Sequence, residues 1–236
     1  MSGTFILLVL ILISSIPVIV VYIWYRLAKY NLSVITFLFA LLTGAAAFFP
    51  ALILQNLIIF QTATAGRLAL FLQIFVRIAF TEELSKLLLL LLFFWIHSLI
   101  ISRGRQADEA SNQPLTYGIV KRGAAIGLVA GIGFAILESA VYGASDTGVL
   151  LLRAVTAAPL HGACGSRVGA AASMMRTNPV QAILRLLTAT AIHGIYNFMI
   201  VIPGFPSVAA ILIALSALTS SVLTIRSGWV SEENIK

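Results

Sequence analysis

Residues 81–102 read TEELSKLLLLLLFFWIHSLIIS. Three charged residues, Glu82, Glu83 and Lys86, open a stretch that then runs apolar without a break from Leu87 to Ile96. A helix needs about 20 mostly apolar residues to cross a hydrocarbon core of about 30 Å, and this stretch supplies them. The rest of the chain repeats the pattern. Of 236 residues, 60% are hydrophobic and only 10% charged, where a soluble domain has about a quarter charged. Mean hydropathy is +1.05. A soluble fold of this size has too little interior to hide so much apolar surface. The expected fold class is therefore an all-α, polytopic transmembrane helix bundle, residues 1–236 forming a single integral membrane domain.

Outward from that stretch, apolar runs place spans near 4–25, 33–55, 81–102, 120–143, 148–175, 180–202 and 206–226, seven in all. Arg26 and Lys29 follow the first span, and Arg103, Arg105, Lys121 and Arg122 flank the loop after the third. Arg176 and Arg185 flank the turn after the fifth, and Arg226 ends the seventh. The intervening loops, around 56–66, 143–147 and 203–206, carry no Lys or Arg. Basic residues mark cytoplasmic loops, so the alternation sets the N-terminus outside and the C-terminus in the cytoplasm of a multi-pass cell-membrane protein. No basic residue precedes the first run, opposite to a signal peptide, so a retained span is expected there. Residues 67–80 are either the start of one long helix or a short re-entrant piece before a fresh helix capped by Thr81. An eighth span at 67–80 would break the charge alternation. Gly127, Gly131, Gly165 and Gly169 repeat at four-residue spacing, which suits close helix contact in lipid.

A net charge of +7 suggests nucleic acid in a soluble protein. Here the basic residues sit in short clusters between apolar runs, so the partner is the lipid bilayer and no nucleic acid is expected. The single cysteine, Cys164, excludes an intrachain disulfide and any Cys-based zinc site. It lies in a run of small residues and reads as an inert packed thiol.

Ionisable groups at membrane depth are costly and mark function by default. The set here is Glu82, Glu83 and Lys86, then Glu138, His161, and His193 with Asn197. They lie on four different spans, and by the topology above the last three helices place theirs between the outer interface and the midplane. A bundle that gathers them forms one polar pocket. Successive helix residues point about 100° apart, so Glu82 and Glu83 face different ways. Lys86 reaches either one, leaving the other for a water. Glu138 has no basic neighbour in sequence and needs a partner from another helix. His193 and Asn197 are four apart and share a helix face. His97, near the inner end of its helix, reads as interfacial.

Glutamate and histidine together support two related chemistries. A carboxylate can act as general base on a water that a histidine orients. Alternatively Glu138, His161 and His193 can ligate zinc and leave an open position for water. Asn197 would donate to an oxyanion in either scheme. The chain contains no HExxH and no Gly-x-Ser-x-Gly, so neither a zincin helix nor a serine nucleophile is indicated.

An acidic pair followed by a basic residue, a Gly-rich span ending in Phe134-x-x-x-Glu138, and two later spans each with one His resemble the PrsW-type intramembrane proteases. These belong to a broad superfamily with the CAAX-processing and bacteriocin-processing proteases. The resemblance covers roughly 78–200, the expected catalytic core. It implies an intramembrane endopeptidase, metalloprotease or glutamate-dependent, that cuts a membrane-anchored protein or peptide. Its active site carries over onto Glu82, Glu83, Glu138, His161 and His193. Asn197 matches the CAAX-type ending, in which the Asn helps the oxyanion. PrsW-like members more often have Asp there, and Asn where this chain has Ser139.

The competing class is an ion- or proton-coupled transporter, since intramembrane Glu, His and Lys also build ion paths. Against it, the two halves show no repeat and the ionisable groups gather at one depth. A lipid hydrolase or acyl transferase could use the same pocket. The shorter water route runs from the outer side, so cleavage is expected close to the extracytoplasmic boundary, where unwinding a helix costs least.

Overall fold

The computed structural model describes residues 12, 15–30, 32–58, 66–104, 115–143, 147–201 and 207–233, and every element among them is helical. The helices are α1 (Ile16–Leu27), α2 (Val34–Leu57), α3 (Arg67–Leu72), α4 (Thr81–Gly104), α5 (Leu115–Gly143), α6 (Thr147–Met174), α7 (Pro179–Val201) and α8 (Ser207–Glu233). A π-helical stretch, Gln73–Phe80, joins α3 to α4. Among the described residues four helices are long and apolar enough to cross a membrane: Val34–Leu57, Gly118–Tyr142, Pro179–Val201 and Val208–Arg226. Of the other three expected spans, α4 starts with Glu82, Glu83 and Lys86, and α6 carries Arg153, His161 and Arg167. The first expected span lies partly outside the described residues, and α1 covers only its second half. The loops around 59–65, 144–146 and 202–206 also lie outside them.

Of the two readings of 67–102, one long helix or a fresh helix capped by Thr81, the structure has the first. Thr81 has helical backbone angles, φ −64° and ψ −36°, inside an unbroken helical run from Arg67 to Gly104. Its hydroxyl does not cap. It donates back to the carbonyls of Arg77 at 2.5 Å and Ile78 at 3.0 Å, as a mid-helix threonine does. Elsewhere the start signals are ordinary, with the Ser33 hydroxyl accepting from the Thr36 amide at 3.1 Å to cap α2.

The bundle is built around α5, whose apolar window is 83% buried, against 28–33% for the other three candidate spans. Its closest neighbour is α6, and the glycine spacing explains how close. A Cβ added at Gly127 would overlap the Gly165 carbonyl, and one at Gly165 would overlap that of Gly127. Gly169 stands in the same relation to Gly123, and Gly131 lies against the backbone of His161. Only glycine lets two backbones approach so closely, which in lipid replaces the hydrophobic drive that is missing there. On its other side α5 takes α2 in the same way, Gly44 against the carbonyl of Ala130 and Gly133 against that of Leu41. Helices α4, α7 and α8 close around this pair. The π stretch lies on α7, the Phe75 ring filling the space left by Gly194. Cys164 is buried, its thiol toward the Ala189 carbonyl at 3.5 Å, as a packed thiol should be.

Candidate active site

Helices α4, α5, α6 and α7 bring Glu82, Glu83, Lys86, Glu138, His161 and His193 into one buried cluster, none of the six more than 7% exposed. Each helix has a local reason for its placement. Two residues before His161, Pro159 cannot donate to the Val155 carbonyl and loosens α6 there. Gly131 allows α5 onto the backbone of His161, and Gly194 seats the π stretch directly after His193. Phe134 forms the floor, with the Lys86 ammonium 4.2 Å over its ring and the His161 ring 5.2 Å away.

The side chains form a continuous chain of contacts. Lys86 Nζ donates to Glu83 Oε1 at 2.7 Å and to His161 Nδ1 at 3.1 Å. His161 Nε2 donates to Glu138 Oε2 at 2.5 Å, and Arg153 pairs with that same oxygen at 2.6 Å. Arg153 also lies over the Tyr142 ring at 4.4 Å. His193 Nδ1 donates to Glu83 Oε1 at 2.8 Å. Gln55 Nε2, from α2, donates to Glu82 Oε1 at 3.0 Å, and Arg77 Nε, from the π stretch, holds the Gln55 carbonyl at 2.7 Å.

Charge balance singles out Glu82. Among the described residues Glu83 has Lys86 and Glu138 has Arg153, whereas Glu82 has the neutral amide of Gln55. Its Oε2 is buried without a hydrogen-bond partner, 3.7 Å from His193 Nε2. The proton of the His193–Glu83 contact belongs on Nδ1, because Glu83 already accepts from Lys86. His193 Nε2 therefore presents a lone pair to a carboxylate oxygen that also offers one. Two tetrahedral ligands, each about 2.1 Å from a zinc ion, stand about 3.4 Å apart. One ligand atom each from Glu82, His161 and His193 lie within 4.8 Å of one another. One carboxylate and two imidazoles suit a divalent cation, and the Glu83 carboxylate behind His193 is the usual outer partner of a ligating histidine. These residues fit a metal.

Residues 33–223 match the PrsW family intramembrane metalloproteases. The chain belongs to that family. It is therefore an integral membrane protein and a peptide hydrolase, as the resemblance of its acidic pair and two histidines implies. No curated protein and no solved structure matches it.

In this PrsW protein the carboxylate that converges with the two histidines is Glu82, whereas the sequence reading put Glu138 in the metal set. Glu138 lies one contact further out, on His161 and Arg153. Both ring nitrogens of His161 are engaged, so its entry into a donor set requires release of Glu138 or Lys86. Asn197 lies one turn after His193 and is half-buried, and none of the contacts that join the cluster involves it. The side chain of His97 lies outside the described residues. Sequence reasoning missed Gln55, Arg77 and Arg153. The signal was present in the two arginines, since a guanidinium inside an apolar run is as costly as a glutamate there.

Proposed function

We propose that this PrsW protein is an endopeptidase that hydrolyses a peptide bond of a membrane-anchored protein or peptide, using a water activated by Glu82 and the two histidines. The observation that supports this reading most is the Glu82 Oε2 atom, buried and unpartnered beside the open Nε2 of His193. Glu82 has four lone-pair sites, of which Gln55 uses one, so it can serve a donor set and accept a proton from water together. Glu82, His161 and His193 would hold the metal, with zinc the ion their donor types suit. When bound it supplies a water of pKa near 7 and a Lewis acid for the substrate carbonyl. Glu83 fixes the ring of His193 through Nδ1, and Lys86 balances Glu83. Glu138 and Arg153 hold the ring of His161. Asn197 donates to the oxyanion of the tetrahedral intermediate.

The chain crosses the cell membrane seven times with its N-terminus outside, which puts every cluster of Lys and Arg in cytoplasmic loops. The pocket then opens toward the outer face, and the substrate is cut near its extracytoplasmic boundary.

The test is cleavage of a tethered single-span substrate in proteoliposomes. Glu82→Gln, Glu83→Gln and His161→Ala should each lower the rate by about 10²–10⁴ in a protein that still folds. Full activity in all three would end this reading. N- and C-terminal reporters on the same side of the membrane would end the topology.

A further inference from the structure

A second cluster of intramembrane charge lies at the opposite end of the bundle, and the chemistry above does not use it. Arg167 on α6 and Arg185 on α7 stand seven residues before Met174 and six after Pro179, so both lie roughly 9–11 Å in from the connecting turn. They stand at matching height on consecutive antiparallel helices, and among the described residues neither has a carboxylate partner. Arg185 Nε is buried with no hydrogen-bond partner. Arg167 is held firmly on one side only. Its Nη1 donates to the Ala163 carbonyl at 3.0 Å, the Ala217 carbonyl at 3.3 Å and the Ser221 hydroxyl at 2.9 Å. Its Nη2 makes one longer contact, 3.3 Å to the Ser220 hydroxyl. Of the five guanidinium N–H groups, Nε–H and one Nη2–H are left over.

Those groups border a groove of about 390 Å³ that runs from Arg167 and Ser220 past Ser216 to Ile192, Leu212 and Ile213. Leu212 precedes Ser220 by eight residues, so the apolar end lies about 12 Å farther along α8 from its Arg226 end than the polar end does. The groove is open at the bundle surface, where Leu212 is 58% exposed. A preset cation at one end and an apolar wall at the other suit one kind of occupant.

We propose that this groove binds an anionic phospholipid, its phosphate on Arg167 and Arg185 and the upper part of one acyl chain along Ile192, Leu212 and Ile213. Two like charges on adjacent helices need an anion between them, because unpaired charge at this depth is costly. Basic clefts between spans bind anionic headgroups. The apolar wall selects a lipid over a free phosphate ion, and a two-chain zwitterionic lipid brings its own cation next to the arginines.

The full chain, purified in detergent, would be exposed to dioleoylphosphatidylglycerol, dioleoylphosphatidylcholine or inorganic phosphate, then followed by native mass spectrometry and thermal melting. The glycerol lipid should be retained and raise the melting midpoint; the choline lipid and phosphate should do neither. Arg167 ties α6 to α8, so the decisive variants leave it in place. Arg185→Gln removes the second cation, and Ser216→Phe fills the groove with both arginines intact. Each should weaken retention of the glycerol lipid at least tenfold. Equal retention of the two lipids, an equal shift from phosphate alone, or unchanged retention in both variants would overturn the proposal.

Discussion

Oε2 of Glu82 and Nε2 of His193 face each other 3.7 Å apart with no hydrogen bond between them. Nε2 of His193 is an acceptor because Nδ1 donates to Glu83, and the Gln55 amide occupies only the other oxygen of Glu82. A proton between the two would draw them to hydrogen-bond distance, whereas a cation would hold them near their present separation.

That gap predicts the metal content. Protein purified without chelator should carry about one zinc per chain by elemental analysis, with His161→Ala, His193→Ala and Glu82→Gln each reducing it. Chelation should remove peptidase activity and added zinc restore it. Chelator-resistant activity in metal-free protein would leave Glu82 acting alone as general base.

Gln55 is predicted to position Glu82 without touching substrate. Loss of an outer-shell partner of this kind typically costs about 10–100-fold in activity or metal affinity. Gln55→Ala should therefore lower kcat by that amount at an unchanged KM, and Gln55→Asn, which keeps the amide, should recover part of it. A loss confined to KM would assign Gln55 to substrate binding.

Lys86 and Glu83 form an ion pair with 1% and 0% exposure. Removing one partner from such a pair leaves an uncompensated buried charge, worth about 3–5 kcal/mol. Lys86→Met should destabilise by about that much when unfolding is followed in mixed micelles. Lys86→Met combined with Glu83→Leu should recover much of the stability and none of the activity. An unstable double variant would show that the pair also fixes the packing of α4.

The glycine contacts predict a positional contrast along α5. Gly127→Leu must push α6 away, because the atom in its path is the backbone carbonyl of Gly165. Gly118→Leu, on the same helix, meets nothing within 4 Å. The first should lower the melting midpoint sharply and the second leave it unchanged. Equal midpoints would mean that α5 and α6 are not in backbone contact.

Much of the fold was legible because membrane insertion simplifies the code. Apolar length locates spans, and the glycine spacing on α5 and α6 announced the close contact the structure contains. The cluster was legible for a related reason: Glu83, Glu138, His161 and His193 are too costly in lipid to be incidental. What the sequence could not convey was rotation. A glutamate pair names two directions about 100° apart without saying which member Lys86 pairs. Glu82 is held by Gln55, on a helix far away in the chain, and the π turns precede the pair; neither leaves a mark in hydropathy. Glu138 meets the same limit, since Phe134-x-x-x-Glu138 fixes its helix face but not the arginine that holds it, Arg153 from α6.

The π stretch from Gln73 to Phe80 has a mechanical meaning of its own. Wide turns hold more residues than α turns of equal height, so this segment contains slack. One residue can pass from the wide turns into the flanking α-helix while every backbone amide keeps a partner, which a loop at the same depth could not do in lipid. Such a slip would carry residues 67–72 along the axis by about one helical rise, 1.5 Å, and leave Glu82 and Glu83 where they are.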